Sequence, residues 1–188
     1  MVSGRYMLGV GISKMMSLTV AAIAIGFIAY RFTGHLAQTG LELTVLALIG
    51  FGAGGAMAVA STAIMISAPE EQAGMAGSIE SISYELGGTI GVAILGSVLG
   101  SVYTRSFSPP ADANLPPEPW VSLEQAIASA RDLPPDLTGQ VVDAGRTAYL
   151  SGVSASLTLV SIVMVLLLCA LLMVRKKIAQ VAVEPQSE

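Results

Sequence analysis

The sequence predicts an all-α integral membrane protein with four transmembrane helices, both termini cytoplasmic, and one long extracytoplasmic loop carrying short helices. Three observations predict it. The chain is 53% hydrophobic and only 12% charged, where a soluble domain carries about 25% charged residues. Its apolar residues are gathered into four uncharged runs, Met15–Tyr30, Leu43–Pro69, Leu86–Thr104 and Thr147–Val174. A tribasic cluster, Arg175-Lys176-Lys177, directly follows the last run.

A helix needs about 20 apolar residues to cross a bilayer, and inside lipid every backbone N–H and C=O must be paired within the segment. The last three runs are long enough. The first holds sixteen residues, and the flanking Lys14 and Arg31 can snorkel to the interface while Tyr30 and Phe32 suit it. The start has no short apolar core ending at a small-residue cleavage site, so this first run reads as a span rather than a signal peptide. The expected organisation is a cytoplasmic segment at 1–14, spans at 15–33 and 42–67, and a long helix at 68–104 containing the third span. An outer loop at 105–146, a fourth span at 147–174 and a cytoplasmic tail at 175–188 complete it. The tail from Ile178 is expected to be disordered. The tribasic cluster places the C-terminus inside by the positive-inside rule, and an even number of spans then puts the N-terminus there too.

The connections differ in character. Phe32–Glu42 reads as a short outer loop. Ser67 followed by Glu70, with Pro69 between, has capping-box spacing and predicts a helix start near Ala68. The outer segment 105–146 holds seven of the nine prolines and six acidic residues against three arginines. Ser122 and Gln125 have capping-box spacing and predict a short helix there, and a second helix after Pro135 can run into the fourth span. The plainest reading of this segment is a solvated loop with local helix.

Several function classes find no residues to carry them. The net charge of −4 argues against a nucleic-acid partner. His35 is the single histidine and Cys169 the single cysteine, so neither builds a metal site nor pairs in a disulfide. Cys169 sits in an apolar run and reads as a buried, inert thiol. No Ser-His-Asp set and no phosphate loop is present. The run G50-F-G-A-G-G55 lies inside an apolar span, without a lysine or a preceding strand. The chain is not expected to be an enzyme, and no cofactor or metal is implied.

Glycines recur four apart at Gly50 and Gly54, Gly87 and Gly91, and Gly96 and Gly100. In lipid, van der Waals contact drives helix association, and this spacing lets backbones approach closely. These six positions are the expected packing surfaces, with simple tight packing favoured over a hinge role.

The remaining feature is the acidic pair at the start of the third span. If the span ends near Tyr103, Glu85 lies at the cytoplasmic rim of the hydrocarbon layer, and Glu80 lies roughly 7–8 Å further toward the cytoplasm. They point about 140° apart on a helix, so they do not share a face. Glu80 shares one with Tyr84 and Gly87, and Glu85 with Ser81, Ile82, Gly88 and Thr89. One reading is two ordinary interfacial acids facing headgroups. The other is a coupling site, since a carboxylate within a membrane is costly and marks function. Ionised it attracts a cation, and protonated it releases it, as exchange transport requires. Glu85 ranks ahead of Glu80 for this role.

The stretch A68-P-E-E-Q-A-G-M-A-G-S-I-E-S-I-S-Y-E-L-G-G-T-I-G-V-A-I-L-G-S97 resembles the penultimate helix of fourteen-helix drug/proton antiporters, the EmrB/QacA-type branch of the major facilitator superfamily. The positions that carry the resemblance are Pro69, Glu70, Ala73, Gly74, Glu80, Tyr84, Glu85, Leu86 and Gly87. G4-R-Y-M-L-G-V-G11 is similar to a cytoplasmic loop of that family, and R146-T-A-Y-L-S-G152 to the entry of its final helix. The resemblance implies the C-terminal portion, the last four helices, of a proton-coupled multidrug efflux transporter in the bacterial inner membrane. It implies Glu85 and Glu80 as proton or cation carriers, and a proton gradient as energy source. It implies as partners the lipid bilayer, a cationic or lipophilic small molecule, and the missing transporter helices or other membrane subunits. Ser81 stands where several similar members have a second glutamate, which weakens the expectation of divalent cations as substrates. Such transporters rock two halves around a central site, so the chain is expected to be incomplete alone. Two other readings stay open. One is a four-helix membrane interaction protein or remnant without transport. The other is a small self-assembling exporter, against which the long outer loop argues.

Overall fold

The computed structural model describes residues 2–33, 39–115 and 121–181, with side chains placed for 11–32, 40–115 and 121–174. Among the described residues all regular structure is helical: α1 (Val2–Thr33), α2 (Thr39–Ser67), α3 (Ala73–Ser106), α4 (Leu123–Ala130) and α5 (Pro135–Val181), with single 3-10 turns at Glu70–Gln72 and Ala111–Ala113. Among the described residues four segments are long and apolar enough to cross a membrane: Gly11–Phe32, Gly40–Ser67, Glu70–Ser106 and Pro135–Val174. The first apolar run reaches spanning length because α1 starts well upstream of it and supplies the missing turns.

Two junctions depart from the sequence reading. No capping box forms at Ser67 and Glu70. Instead α2 continues through Ser67, the Ala68 N–H donates to the Ile64 carbonyl at 3.2 Å, and Pro69 is extended with no side-chain cap on the turn that follows. Proline lacks an N–H and disfavours helix at the residue before it, so the chain breaks there and restarts at Ala73. At the other end, α5 continues to Val181 through part of the expected tail, while residues 182–188, like His35, lie outside the described residues.

The chain divides into two compact units. The first comprises residues 1–84 and 160–188. Here α1 and α2 pack together, burying Val20 and Ala24 of α1 and Val45 of α2. Ser17 and Thr19 of α1 are also buried. Their hydroxyls donate to backbone carbonyls of their own helix, Ser13 at 2.8 Å and Met16 at 2.9 Å. Three glycines permit the approach. A Cβ at Gly52 would lie 3.1 Å from both the Ile23 nitrogen and the Thr19 carbonyl oxygen, and Gly26 and Gly55 face Ile49 and Thr19 as closely.

The second unit comprises residues 85–159, and it holds a small hydrophobic core. Tyr103, Phe107, Ala113, Ala126, Ala130, Val141 and Ala148 are buried together, with Leu115, Leu123, Leu133, Val142 and Ala144 packed around them. The proline-rich segment 105–146 is therefore, among its described residues, folded around a helical core rather than being a solvated loop. Its proline breaks cut the chain into pieces short enough to fold back, and the alanines of α4 let α4 lie close against α3 and α5. Ser122 caps α4, its hydroxyl accepting from the Gln125 N–H at 3.3 Å. Asn114, at φ 41°, turns the chain in the left-handed region that asparagine tolerates. The Thr138 hydroxyl donates to the Ala130 carbonyl at 2.9 Å and ties the end of α4 to the first turn of α5. Below this core α3 and α5 approach through Gly152, where a Cβ would lie 2.8 Å from the Leu99 carbonyl oxygen. The Ser156 hydroxyl donates to the Leu95 carbonyl at 3.2 Å.

Candidate functional site

The acidic residues singled out by the sequence both lie on α3, five positions apart on one uninterrupted helix. The start of this helix, A73-G-M-A-G-S-I-E80, is largely exposed. Glu80 belongs to the first unit and is half-buried; Glu85 opens the second unit and is exposed.

Glu80 and Tyr84 are one helical turn apart, the spacing of neighbours on one helix face. The Tyr84 hydroxyl donates to the Met57 carbonyl oxygen of α2 at 3.3 Å. That reach is possible because Met57 is flanked by Gly54, Gly55, Ala56, Ala58 and Ala60, whose side chains are too small to screen the backbone. Nearby, Gly77 of α3 faces the tip of Met65 of α2. The first unit thus joins Tyr84 of α3 to the α2 backbone at Met57, with Glu80 one turn away on the same helix. The sequence put Glu80 and Tyr84 on one side of the helix but carried no sign of Met57, whose contribution is a main-chain atom.

Among the described residues nothing lies within 4 Å of a Cβ placed on Gly50, Gly54, Gly87, Gly91, Gly96 or Gly100. The close approaches within the described residues fall on Gly26, Gly52, Gly55, Gly145 and Gly152. Spacing alone names a face that could be approached. Whether a neighbour arrives there depends on how the helices are turned. Cys169 is exposed rather than buried, because an apolar helix meant for lipid does not need a protein cover. Among the described residues no group of three His, Cys, Asp or Glu side chains could hold a metal ion.

No protein-family model matches the chain, and no solved structure matches it. It is similar to drug-resistance and export proteins of bacteria. It is 33% identical over 141 residues to the methyl viologen resistance protein SmvA of Salmonella typhimurium, a match covering 74% of this chain and 28% of that one. It is 28% identical over 136 residues to the multidrug efflux pump LfrA of Mycolicibacterium smegmatis, covering 70% and 27%. The match to the tetracenomycin C resistance and export protein of Streptomyces glaucescens is 29% over 154 residues, covering 74% and 28%. The chain thus spans little more than a quarter of the length of these curated relatives. With four helices able to cross a bilayer, it is a multi-pass membrane protein, and it is related to one stretch of the multidrug efflux proteins of the major facilitator type.

Proposed function

We propose that this chain is the C-terminal part of a proton-coupled multidrug efflux transporter of the bacterial inner membrane, working with helices that it does not itself contain. The observation that carries the reading is the similarity to export and resistance proteins over about three-quarters of the chain. The acidic pair at the start of α3 gives it a chemistry. In this reading Glu85 loads and releases the coupling proton and Glu80 assists, while the substrate is a lipophilic or cationic small molecule. Both chain ends face the cytoplasm, which puts Glu80 and Glu85 at the inner side and the α4 segment outside.

The test is export in a full-length transporter carrying this segment. Glu85→Gln abolishes proton-driven export of a lipophilic monocation and leaves membrane yield unchanged. Export at the unmodified rate would overturn the coupling role. Glu80→Gln weakens export without abolishing it, and a wild-type rate would make Glu80 merely interfacial.

A second reading, a membrane interaction protein without transport, is favoured by one observation: the six glycines with open space beside them. Under that reading both glutamate variants leave every measurable property of the full-length protein unchanged, while Gly87→Leu and Gly91→Leu break its association with other membrane subunits.

A further inference from the structure

In the second unit α3 and α5 run antiparallel, and two contacts fix their register. The Ser156 hydroxyl donates to the Leu95 carbonyl, and Gly152 closes on the Leu99 carbonyl oxygen. Arg105 lies six residues beyond Leu99, and Arg146 six residues before Gly152. Each therefore stands about 9 Å of helical rise from that contact, toward the same end of the pair. The two arginines are level. The uncharged run of α3 stops at Arg105 and that of α5 stops at Arg146. Two separate helices thus change from apolar to charged at one height, as they must where a hydrocarbon layer gives way to headgroups. Tyr149, 39% exposed and one turn inward from Arg146, has the interfacial chemistry that such a level calls for.

Neither arginine is tied into the fold. Arg105 is two positions past the buried Tyr103 and Arg146 two before the buried Ala148, about 200° around their helices. Both point away from the core and are exposed. Among the described residues Arg105 makes no salt bridge. Arg146 reaches only Asp143, at 3.9 Å, with the two side chains 67% and 79% exposed, an ion pair that solvent screens. A guanidinium is a planar fork that takes two oxygens of one phosphate side by side, and its apolar stem lets the head rise from lipid to that level.

We propose that Arg105 and Arg146 are headgroup sites, one on each helix of the pair, and that each takes the phosphate of an anionic glycerophospholipid such as phosphatidylglycerol. A zwitterionic lipid offers the same phosphate, but its own ammonium group competes for it, so the net-negative headgroup is the preferred occupant. Lipids held at both arginines fix the depth of α3 and α5 in the bilayer, and with it the height of the core around Tyr103 and Val141. This goes beyond the transport reading and does not depend on it. The orientation of the chain decides only which leaflet supplies the lipid.

The experiment is native mass spectrometry of the whole chain in detergent, titrated with phosphatidylglycerol, with phosphatidylcholine of the same acyl chains, or with inorganic phosphate. Arg175→Gln, Lys176→Gln and Lys177→Gln are present throughout, so that the basic cluster at the other end of the span does not contribute. The chain is expected to retain phosphatidylglycerol in preference to phosphatidylcholine. Each arginine contributes roughly fivefold to that preference, so Arg105→Gln and Arg146→Gln each lower it by that factor and the double variant shows none. Arg105→Lys with Arg146→Lys keeps part of it, since the charge stays and the fork is lost. A preference unchanged in the double glutamine variant overturns the proposal. So does inorganic phosphate that displaces the lipid at equal concentration, which would make these sites for the free ion. Loss of preference together with faster trypsin cleavage at Arg131 would assign the arginines to the fold and overturn it as well.

Discussion

Gly152 and Gly87 are both helical glycines in the second unit, yet their surroundings oppose each other. A Cβ at Gly152 would press on the Leu99 carbonyl oxygen, a backbone atom that cannot step aside, while at Gly87 it would meet nothing. Replacing glycine by alanine in a helix interior gains about 1 kcal/mol from propensity, and overpacking a close contact costs about 1–3 kcal/mol. Gly87→Ala is therefore expected to raise the thermal unfolding midpoint of the detergent-solubilised chain slightly, and Gly152→Ala to lower it. The reverse order would show that the α3–α5 contact is not tight. The glycine pattern in the sequence could not separate these two positions, because a four-residue repeat says which face a glycine occupies and not what faces it. The acidic pair was more legible. Glu80 and Tyr84 are one turn apart on one side of α3, as the spacing says, whereas the Met57 carbonyl is a backbone atom and carries no signature in side-chain letters.

At the scale of elements, α4 and the turns around it form a core that hydropathy does not announce. Most of that core is alanine, a residue as common in exposed helices as in buried ones, and its largest fully buried members are Tyr103 and Val141. The capping spacing of Ser122 and Gln125 was readable and is realised. Arg131, at the end of α4, offers trypsin a site whose cleavage reports local opening of this segment. Ser122→Ala removes a cap worth about 1 kcal/mol, which should raise cleavage at Arg131 roughly fivefold where opening is rapid. Val141→Ala leaves a void in the core and should cost about 1–3 kcal/mol, giving a larger increase. Cleavage at the wild-type rate in Val141→Ala would mean that this core does not hold the segment closed.

For the whole molecule, the exposed apolar surface is the governing fact. Leu43, Phe51, Leu86, Val92, Leu166 and Met173 are all among the large exposed side chains, and none of the most apolar stretch of α5 is buried within the chain. Such surface is stable in lipid or against other helices, not in water. The proposed orientation can be checked by labelling. With Cys169→Ser as background, an impermeant maleimide applied to whole cells is expected to modify Glu124→Cys and to spare Ser78→Cys. Labelling of Ser78→Cys alone would invert the topology. Legible in the sequence alone were four helices long and apolar enough to cross a membrane among the described residues, the proline-broken segment between the last two of them and the acidic residues of α3, because hydropathy, proline breaks and charge are sums over neighbouring residues. What only the tertiary structure decided is which glycines touch, that the outer segment folds around Tyr103 and Val141, and that Tyr84 reaches α2. Each of these is a contact between distant parts of the chain, and depends on how one helix is rotated against another, which no local window contains.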